Sequence, residues 1–374
     1  MKYLLWLFRI IVGGLFIFSG LVKANDPLGL TYKMQEFFEV LHLTLLNEYA
    51  FTFSVLIIAF EIISGVAVLL GYAFRIFSVL MLLLNAWFLF VTAYALFTDK
   101  VKECGCFGDC IKISNEETFW KDVVLTAMSL VLFLFSKRVQ PVLKGKVGHI
   151  VMAVVTLFAF GIQWWALKHL PFHDCLPYKK NANIMEKIQP PADCVPDSFV
   201  NIFIYEKGGV QQKFASTDIP WQDTTWVYVD RIDSLVRKGN CEVEIKDFVI
   251  SDESGADVTQ AILSTPGPTY LWFVRDVEKA NTSNMDVLKS LIANAQKQNI
   301  PFYVLCSAGK GEAAAFRKEH GLENVPFYTL DGVASKTALR SNPGLMLLDK
   351  GTIVNKWSYM DYPKDAVMVN GKLK

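Results

Sequence analysis

Residues 103–110 read ECGCFGDC, which sets Cys104, Cys106 and Cys110 close together with two glycines. Three chemistries suit such a run: thiol–disulfide exchange, metal binding and plain cross-linking of a loop. A Cys-x-Cys pair such as Cys104 and Cys106 closes only a small ring, and Gly105 supplies the backbone freedom that closure needs. Strained disulfides are the oxidising, exchangeable ones. Cys110 follows closely enough to act as a resolving thiol. Lys102 and Lys112 favour its thiolate while Glu103 and Asp109 oppose it, so local charge does not decide the matter. A zinc clip wants four ligands, and this loop offers three sulfurs and no histidine. His173, beside Cys175 in the run HDC, could complete a set, but the uneven spacing makes metal the weakest reading and no metal is expected. Exchange and structural stapling both stay open on the residues alone.

The loop lies between long apolar runs. The chain has 374 residues, 52% of them hydrophobic, with a mean hydropathy of +0.31, too apolar for a protein lying wholly in water. A net charge of +1 without a concentrated basic face excludes nucleic acid as a partner. Runs at 2–22, 49–71, 73–97, 119–137 and 148–168 are each long enough to cross a hydrocarbon core as a helix, so five spans and a lipid bilayer as surroundings are expected. The first run carries Arg9 and lacks a small-residue cleavage site before Lys23, which argues for a retained span rather than a signal peptide.

Basic residues in short loops mark the cytoplasmic side. The loop 137–147 holds Lys137, Arg138, Lys144 and Lys146 with no acid, whereas 23–48 and 98–118 mix lysines with acids. Arg75 sits in the other tight turn. The expected topology in a bacterial inner membrane is therefore a cytoplasmic N-terminus and a periplasmic C-terminal half. All seven cysteines then face the oxidising side, where disulfides persist. Inside the spans Glu61 is costly unless paired; Arg9 is the expected partner, with proton or quinone handling as the alternative role for the two. Gly13, Gly14, Gly20 and Gly65 permit close helix contact.

After about residue 170 the composition turns to loop, strand and amphipathic helix. Residues 171–240, with Pro171, Pro177, Pro190, Pro191 and Pro196, read as a periplasmic linker with a β-rich extension. Cys175 and Cys194 are the expected structural disulfide there, and Cys241 is unassigned. From 241 onward CEVEIKDFVI alternates as a strand, TYLWFV and IPFYVLCS are buried strands, and NMDVLKSLIANAQKQN and GEAAAFRKEHG have helical spacing. VPFYTL, GLMLLD and TIVNKW follow as short strands, the last two joined at Lys350-Gly351.

That order resembles a thioredoxin-like domain over 241–374, in which SNPGLMLLDKGTIVNKW looks like the cis-proline segment and Pro343 stands in the cis-proline position. The family's Cys-x-x-Cys should follow the first central strand. Here the chain reads WFVRDVEKA, so the resemblance implies a degenerate domain fit for docking or client binding. Cys306, ending a buried strand, reads as an inert core thiol.

Arg9 with the following GG, SGLVK ending at Lys23, and EIISGVAVLLG from Glu61 to Gly71 resemble the DoxX-like group. CGCFGD followed by Lys121-Asp122 is closer to its MauE branch, the methylamine-utilisation membrane proteins. The resemblance implies a four-helix membrane unit at 1–140, with 141–170 as a fifth transmembrane helix, and an association with thiol redox work. The expected fold is an α-helical membrane bundle followed by an α/β thioredoxin-like domain. The expected function is a thiol/disulfide redox-associated protein acting through Cys104, Cys106 and Cys110, with a periplasmic thiol protein as partner and a quinone as the acceptor class. Whether it is itself a thiol-disulfide oxidoreductase stays open. The alternative is a non-catalytic assembly or client-binding protein whose cysteines staple loops. Neither repeated halves nor paired broken helices suggest a transporter.

Overall fold

A computed structural model describes residues 2–98, 100–101, 105, 107–111, 113–143, 145–364, 368–369 and 372–373. Cys104 and Cys106 lie outside the described residues. The first half is helical: α1 (Lys2–Asn25), α2 (Pro27–Val40), a 3-10 turn at Thr44–Tyr49, α3 (Ala50–Leu70), α4 (Phe74–Thr98), α5 (Asn115–Leu134) and α6 (Lys146–Lys168). Asp26 caps α2 by accepting from the Gly29 amide at 3.0 Å, with Pro27 preorganising the first turn. Ser114 and Glu117 form a capping box at the start of α5.

Among the described residues, four helical segments are long and apolar enough to cross a membrane: Lys2–Asn25, Thr44–Leu70, Phe74–Thr98 and Lys146–Lys168. Helix α5, expected as a span, is not among them, because Glu116, Glu117, Lys121 and Asp122 crowd its first two turns. It nevertheless packs along α4, where Asn85 Nδ2 donates to Ser129 Oγ at 2.8 Å. Beyond it the chain reaches the α3–α4 turn, where the Val142 amide donates to the Leu70 carbonyl at 2.8 Å.

Helices α1 and α3 meet through a glycine seam. A Cβ on Gly65 would stand 2.7 Å from the Gly13 carbonyl oxygen, and one on Gly20 would stand 2.6 Å from Ile62 Cγ1. Gly14 faces open space. This register corrects the expected Arg9–Glu61 pair. Gly20, not Arg9, is level with Glu61, and Arg9 stands about 16 Å further along α1 at ~1.5 Å per residue. Arg9 instead donates to the carbonyls of Val68 (3.0 Å) and Leu69 (2.6 Å), while Glu61 pairs with Lys23.

After α6 come a short α7 (Ile184–Lys187) and a three-stranded antiparallel sheet of β1 (Ser198–Lys207), β2 (Val210–Ala215) and β3 (Val227–Arg237), in the order β2-β1-β3. A Cys194–Cys241 disulfide closes the base of this sheet, and Cys175 bonds Cys110. The expected Cys175–Cys194 bridge is therefore wrong. Nearness in sequence suggested it, whereas strand pairing brings Cys194 and Cys241 together.

The next elements are β4 (Ile250–Ser251), α8 (Thr259–Leu263), β5 (Pro268–Val274), α9 (Met285–Lys297), β6 (Phe302–Cys306), α10 (Lys310–Glu319), β7 (Phe327–Leu330), α11 (Gly332–Ala338), β8 (Gly344–Asp349) and β9 (Thr352–Ser358). They build one six-stranded sheet, ordered β4-β7-β6-β5-β8-β9, with β5, β6 and β7 parallel and β8 antiparallel to β5 and β9. Alternation along β5 feeds two cores: Tyr270, Trp272 and Val274 pack with Leu288 and Leu291 of α9, and Leu271 and Phe273 pack with Ile250 and Ile353. Of the strand expected across CEVEIKDFVI only its last residue, Ile250, pairs, together with the following Ser251, since Cys241 is held by Cys194 and the Ile245 amide donates to the Lys187 carbonyl at 3.0 Å. The Asn342–Pro343 peptide bond is cis.

Candidate functional site

The Cys110–Cys175 disulfide joins the α4–α5 loop to the segment leaving α6, at the end of the bundle that meets the six-stranded α/β unit. Each of its cysteines follows an aspartate, and each aspartate is held by a buried cation of the α/β unit. Arg340 Nη2 donates to Asp109 Oδ2 at 2.7 Å, and Lys356 Nζ donates to Asp174 Oδ2 at 2.5 Å. Arg340 also reaches Asp26 Oδ2 at 2.6 Å through Nε and the Lys336 carbonyl at 2.6 Å through Nη1. One guanidinium thus ties the α1–α2 junction to the cysteine loop, in a planar fork suited to carboxylates.

The charges respond to that setting. Burial disfavours the Arg340 charge, but Asp26 and Asp109 outweigh it and hold its pKa above the ordinary arginine value. Burial lowers the pKa of Lys356, with Asp174 opposing the shift. Burial, then Arg275 and Arg340 nearby, lowers that of Lys336.

Tyr32 of α2 is the second contact. Its hydroxyl accepts from Arg275 Nη1, and its ring lies 4.9 Å from Lys336 Nζ and 5.3 Å from the Arg340 guanidinium carbon. Arg275 and Asp276 follow β5 in WFVRDVEKA. Their amides donate to Asn342 Oδ1 at 2.9 and 3.2 Å, and Asn342 Nδ2 donates to the Asp276 carbonyl at 2.7 Å. This brings the β5 exit and the Asn342–Pro343 segment to one edge, facing α2 and the cysteine loop. On the far side Asn25 exchanges two hydrogen bonds with the His173 backbone, at 2.8 and 2.9 Å.

Between Cys104 and Cys106, Gly105 adopts φ +68°, and a Cβ there would stand 3.1 Å from Lys33 Cγ. Gly105 borders an open cleft whose walls are chiefly Leu30, Met34, Phe37, Trp87, Phe88 and Val91, with Lys23 and Lys33 as its charged members. Cys306 is buried in the α/β core, and burial raises its thiol pKa, which keeps it a weak nucleophile. Among the described residues no cluster of His, Cys, Asp and Glu could hold a metal ion.

Sequence reasoning missed the cations. Arg340, Lys356 and Tyr32 stand in unremarkable runs, and their partners lie far away in the chain. The repeated Asp-Cys of GDC and HDC was the available signal.

Residues 1–135 match the family of the methylamine utilisation protein MauE, and residues 199–238, spanning β1 to β3, match a domain of unknown function, DUF8463. No curated protein and no solved structure matches the chain.

Proposed function

We propose that this chain is a membrane-embedded, periplasm-facing thiol/disulfide redox protein, a MauE-type bundle of the wider DoxX-like kind fused to a thioredoxin-like domain without a dithiol of its own. The observation that carries the reading is the Cys110–Cys175 disulfide held beside Cys104 and Cys106 in sequence and flanked by two aspartates gripped from the α/β unit. In the exchange we envisage, a thiolate of the Cys104/Cys106 pair attacks Cys110 and expels the Cys175 thiolate. The other thiolate of the pair then resolves the mixed disulfide, leaving Cys104–Cys106 oxidised and Cys110 and Cys175 reduced.

An acceptor of the quinone class suits the apolar, aromatic cleft beside Gly105, and when bound it would supply the oxidising equivalents. Lys23 and Lys33 would orient its polar end. Five spans remain our reading, with α5 as the fourth: Lys137, Arg138 and Lys146 lie with Arg75 at the bundle end opposite the cysteine loop, which supports a cytoplasmic face there. The bare strand β3, exposed along its whole length, favours a second role in client binding.

The test is thiol trapping in cells with a mass-shifting maleimide, in wild type and in Cys104→Ser, Cys106→Ser and Cys175→Ser. Exchange predicts that loop oxidation follows the supply of electron donors and that Cys106→Ser or Cys104→Ser traps a mixed disulfide. A bridge that stays oxidised under every condition, with all serine variants active, would reduce the cysteines to staples.

A further inference from the structure

Four charged side chains from three helices line one cavity beneath the cysteine loop. Lys23 of α1 pairs with Glu61 of α3 at 2.5 Å, and Lys121 pairs with Asp122 on α5 at 2.9 Å. Phe107 of the loop, Asn85 of α4 and apolar side chains of α1 also line this small space. Exposure falls along the set, from 24% for the Lys121 side chain to 3% for Lys23 and 1% for Glu61, so the cavity runs from a wet mouth into the bundle.

Each carboxylate is only half satisfied. Glu61 Oε1 and Asp122 Oδ1 meet their lysines, but Glu61 Oε2 and Asp122 Oδ2 are buried without a hydrogen-bond partner among the described residues. An ionised oxygen in that position is costly in a low dielectric, and a proton relieves it by neutralising the group. Two lysines balance two carboxylates, so the empty cluster is neutral and each proton bound adds one positive charge. The charged lining comprises Lys23, Glu61, Lys121 and Asp122; α6 lends none, and α2 lends Lys33 only to the adjoining cleft.

We infer that this cavity is a proton-binding site, in which Glu61 Oε2 and Asp122 Oδ2 take up protons arriving from the cysteine-loop end while Lys23 and Lys121 hold the opposite oxygens. Its use by the loop rests on the thiol reading above: oxidising two thiols to one disulfide releases two electrons, which reduce the quinone-class acceptor, and two protons, which rest one on each carboxylate before passing to the reduced acceptor as it becomes a quinol. Proton binding itself does not depend on that reading.

The experiment is labelling of the full-length protein in lipid vesicles with dicyclohexylcarbodiimide, which attacks protonated buried carboxyls, read by mass spectrometry of the Glu61 and Asp122 peptides. Labelling of both peptides should rise as the pH is lowered from about 8 to about 5. Glu61→Gln and Asp122→Asn should each abolish the label on their own peptide alone. Lys121→Met, at the wetter pair and so the milder variant, should change the Asp122 yield and not the fold. No label on either carboxyl across the range overturns the proposal and makes the cluster a pair of permanent ion pairs. Labelling in a protein whose cysteines never exchange upholds the proton site and sinks the thiol reading, and exchange without labelling does the reverse.

Discussion

Replacing Arg340 by methionine keeps most of the side-chain volume and removes three hydrogen bonds, to Asp26, Asp109 and the Lys336 carbonyl. Asp26 and Asp109, 17% and 26% exposed, then lose the cation between them. Breaking a fully buried pair costs about 3–5 kcal/mol, and partial access of water to these carboxylates reduces that to about 2–4 kcal/mol. At ~1.4 kcal/mol per decade the docked arrangement weakens by about 30- to 1,000-fold. If Cys110–Cys175 becomes reducible only when this contact opens, its reduction rate by a soluble phosphine should rise by the same factor. Arg340→Lys, which keeps a charge but loses the fork, should fall between. The triple variant Asp26→Asn, Asp109→Asn, Arg340→Met should recover much of the protection, because it deletes the stranded charges along with their partner. The measurement is a gel-shift time course of reduction, with amide exchange over 174–178 as a second readout. A rate within about threefold of wild type, or a triple variant no better than the single one, refutes the reasoning that Arg340 holds the interface by charge.

In the α1–α3 seam, Gly65→Ala pushes a methyl to 2.7 Å from the Gly13 carbonyl oxygen and should cost about 1–3 kcal/mol, whereas Gly14→Ala meets nothing within 4 Å and should be neutral or slightly stabilising. Thermal unfolding in detergent separates the two, and equal effects would mean the seam is not tight. Tyr270 is buried with an unpartnered hydroxyl among the described residues, and burial raises its pKa to about 12. Its neutral form therefore contributes stability in full below the ordinary tyrosine value of about 10, and that stability is lost as pH rises towards about 12. Tyr270→Phe should match or exceed wild type by up to about 1 kcal/mol near neutral pH and should soften the alkaline loss. An unchanged alkaline transition in denaturant melts would assign it to Tyr178 and Tyr362 instead, both raised by burial.

The parts of this fold that were legible in the sequence are those set by local pattern. Long apolar runs announced the membrane helices, and the continuous apolar stretches TYLWFV, IPFYVLCS and GLMLLD announced β5, β6 and β8, because a strand covered on both faces needs no polar alternation. Helix α2 was missed because its apolar residues are interrupted by Lys33, Gln35 and Glu36, a mixture that reads as a polar loop. The strand expected over CEVEIKDFVI failed because a disulfide fixes its first residue elsewhere. Partners were harder still. Glu61 had two basic candidates on α1, and the choice of Lys23 over Arg9 depends on a helix register that the glycines set only once the helices are packed.

The same logic explains why the site lay hidden and what the α/β unit contributes. At the β5 exit, where a dithiol would stand in a thioredoxin-like domain, the chain places Arg275 against Tyr32 and leaves Arg340 and Lys356 to grip Asp109 and Asp174. Those contacts hold the residues preceding Cys110 and Cys175 by ion pairs that do not require the S–S bond. Opening the bridge therefore leaves both thiols in place, and closing it again is an intramolecular step at high effective concentration rather than a search. An edge carrying a dithiol of its own would compete for the loop cysteines. One that presents cations instead fixes the loop and, under the proposed exchange, leaves the thiol chemistry to Cys104, Cys106, Cys110 and Cys175.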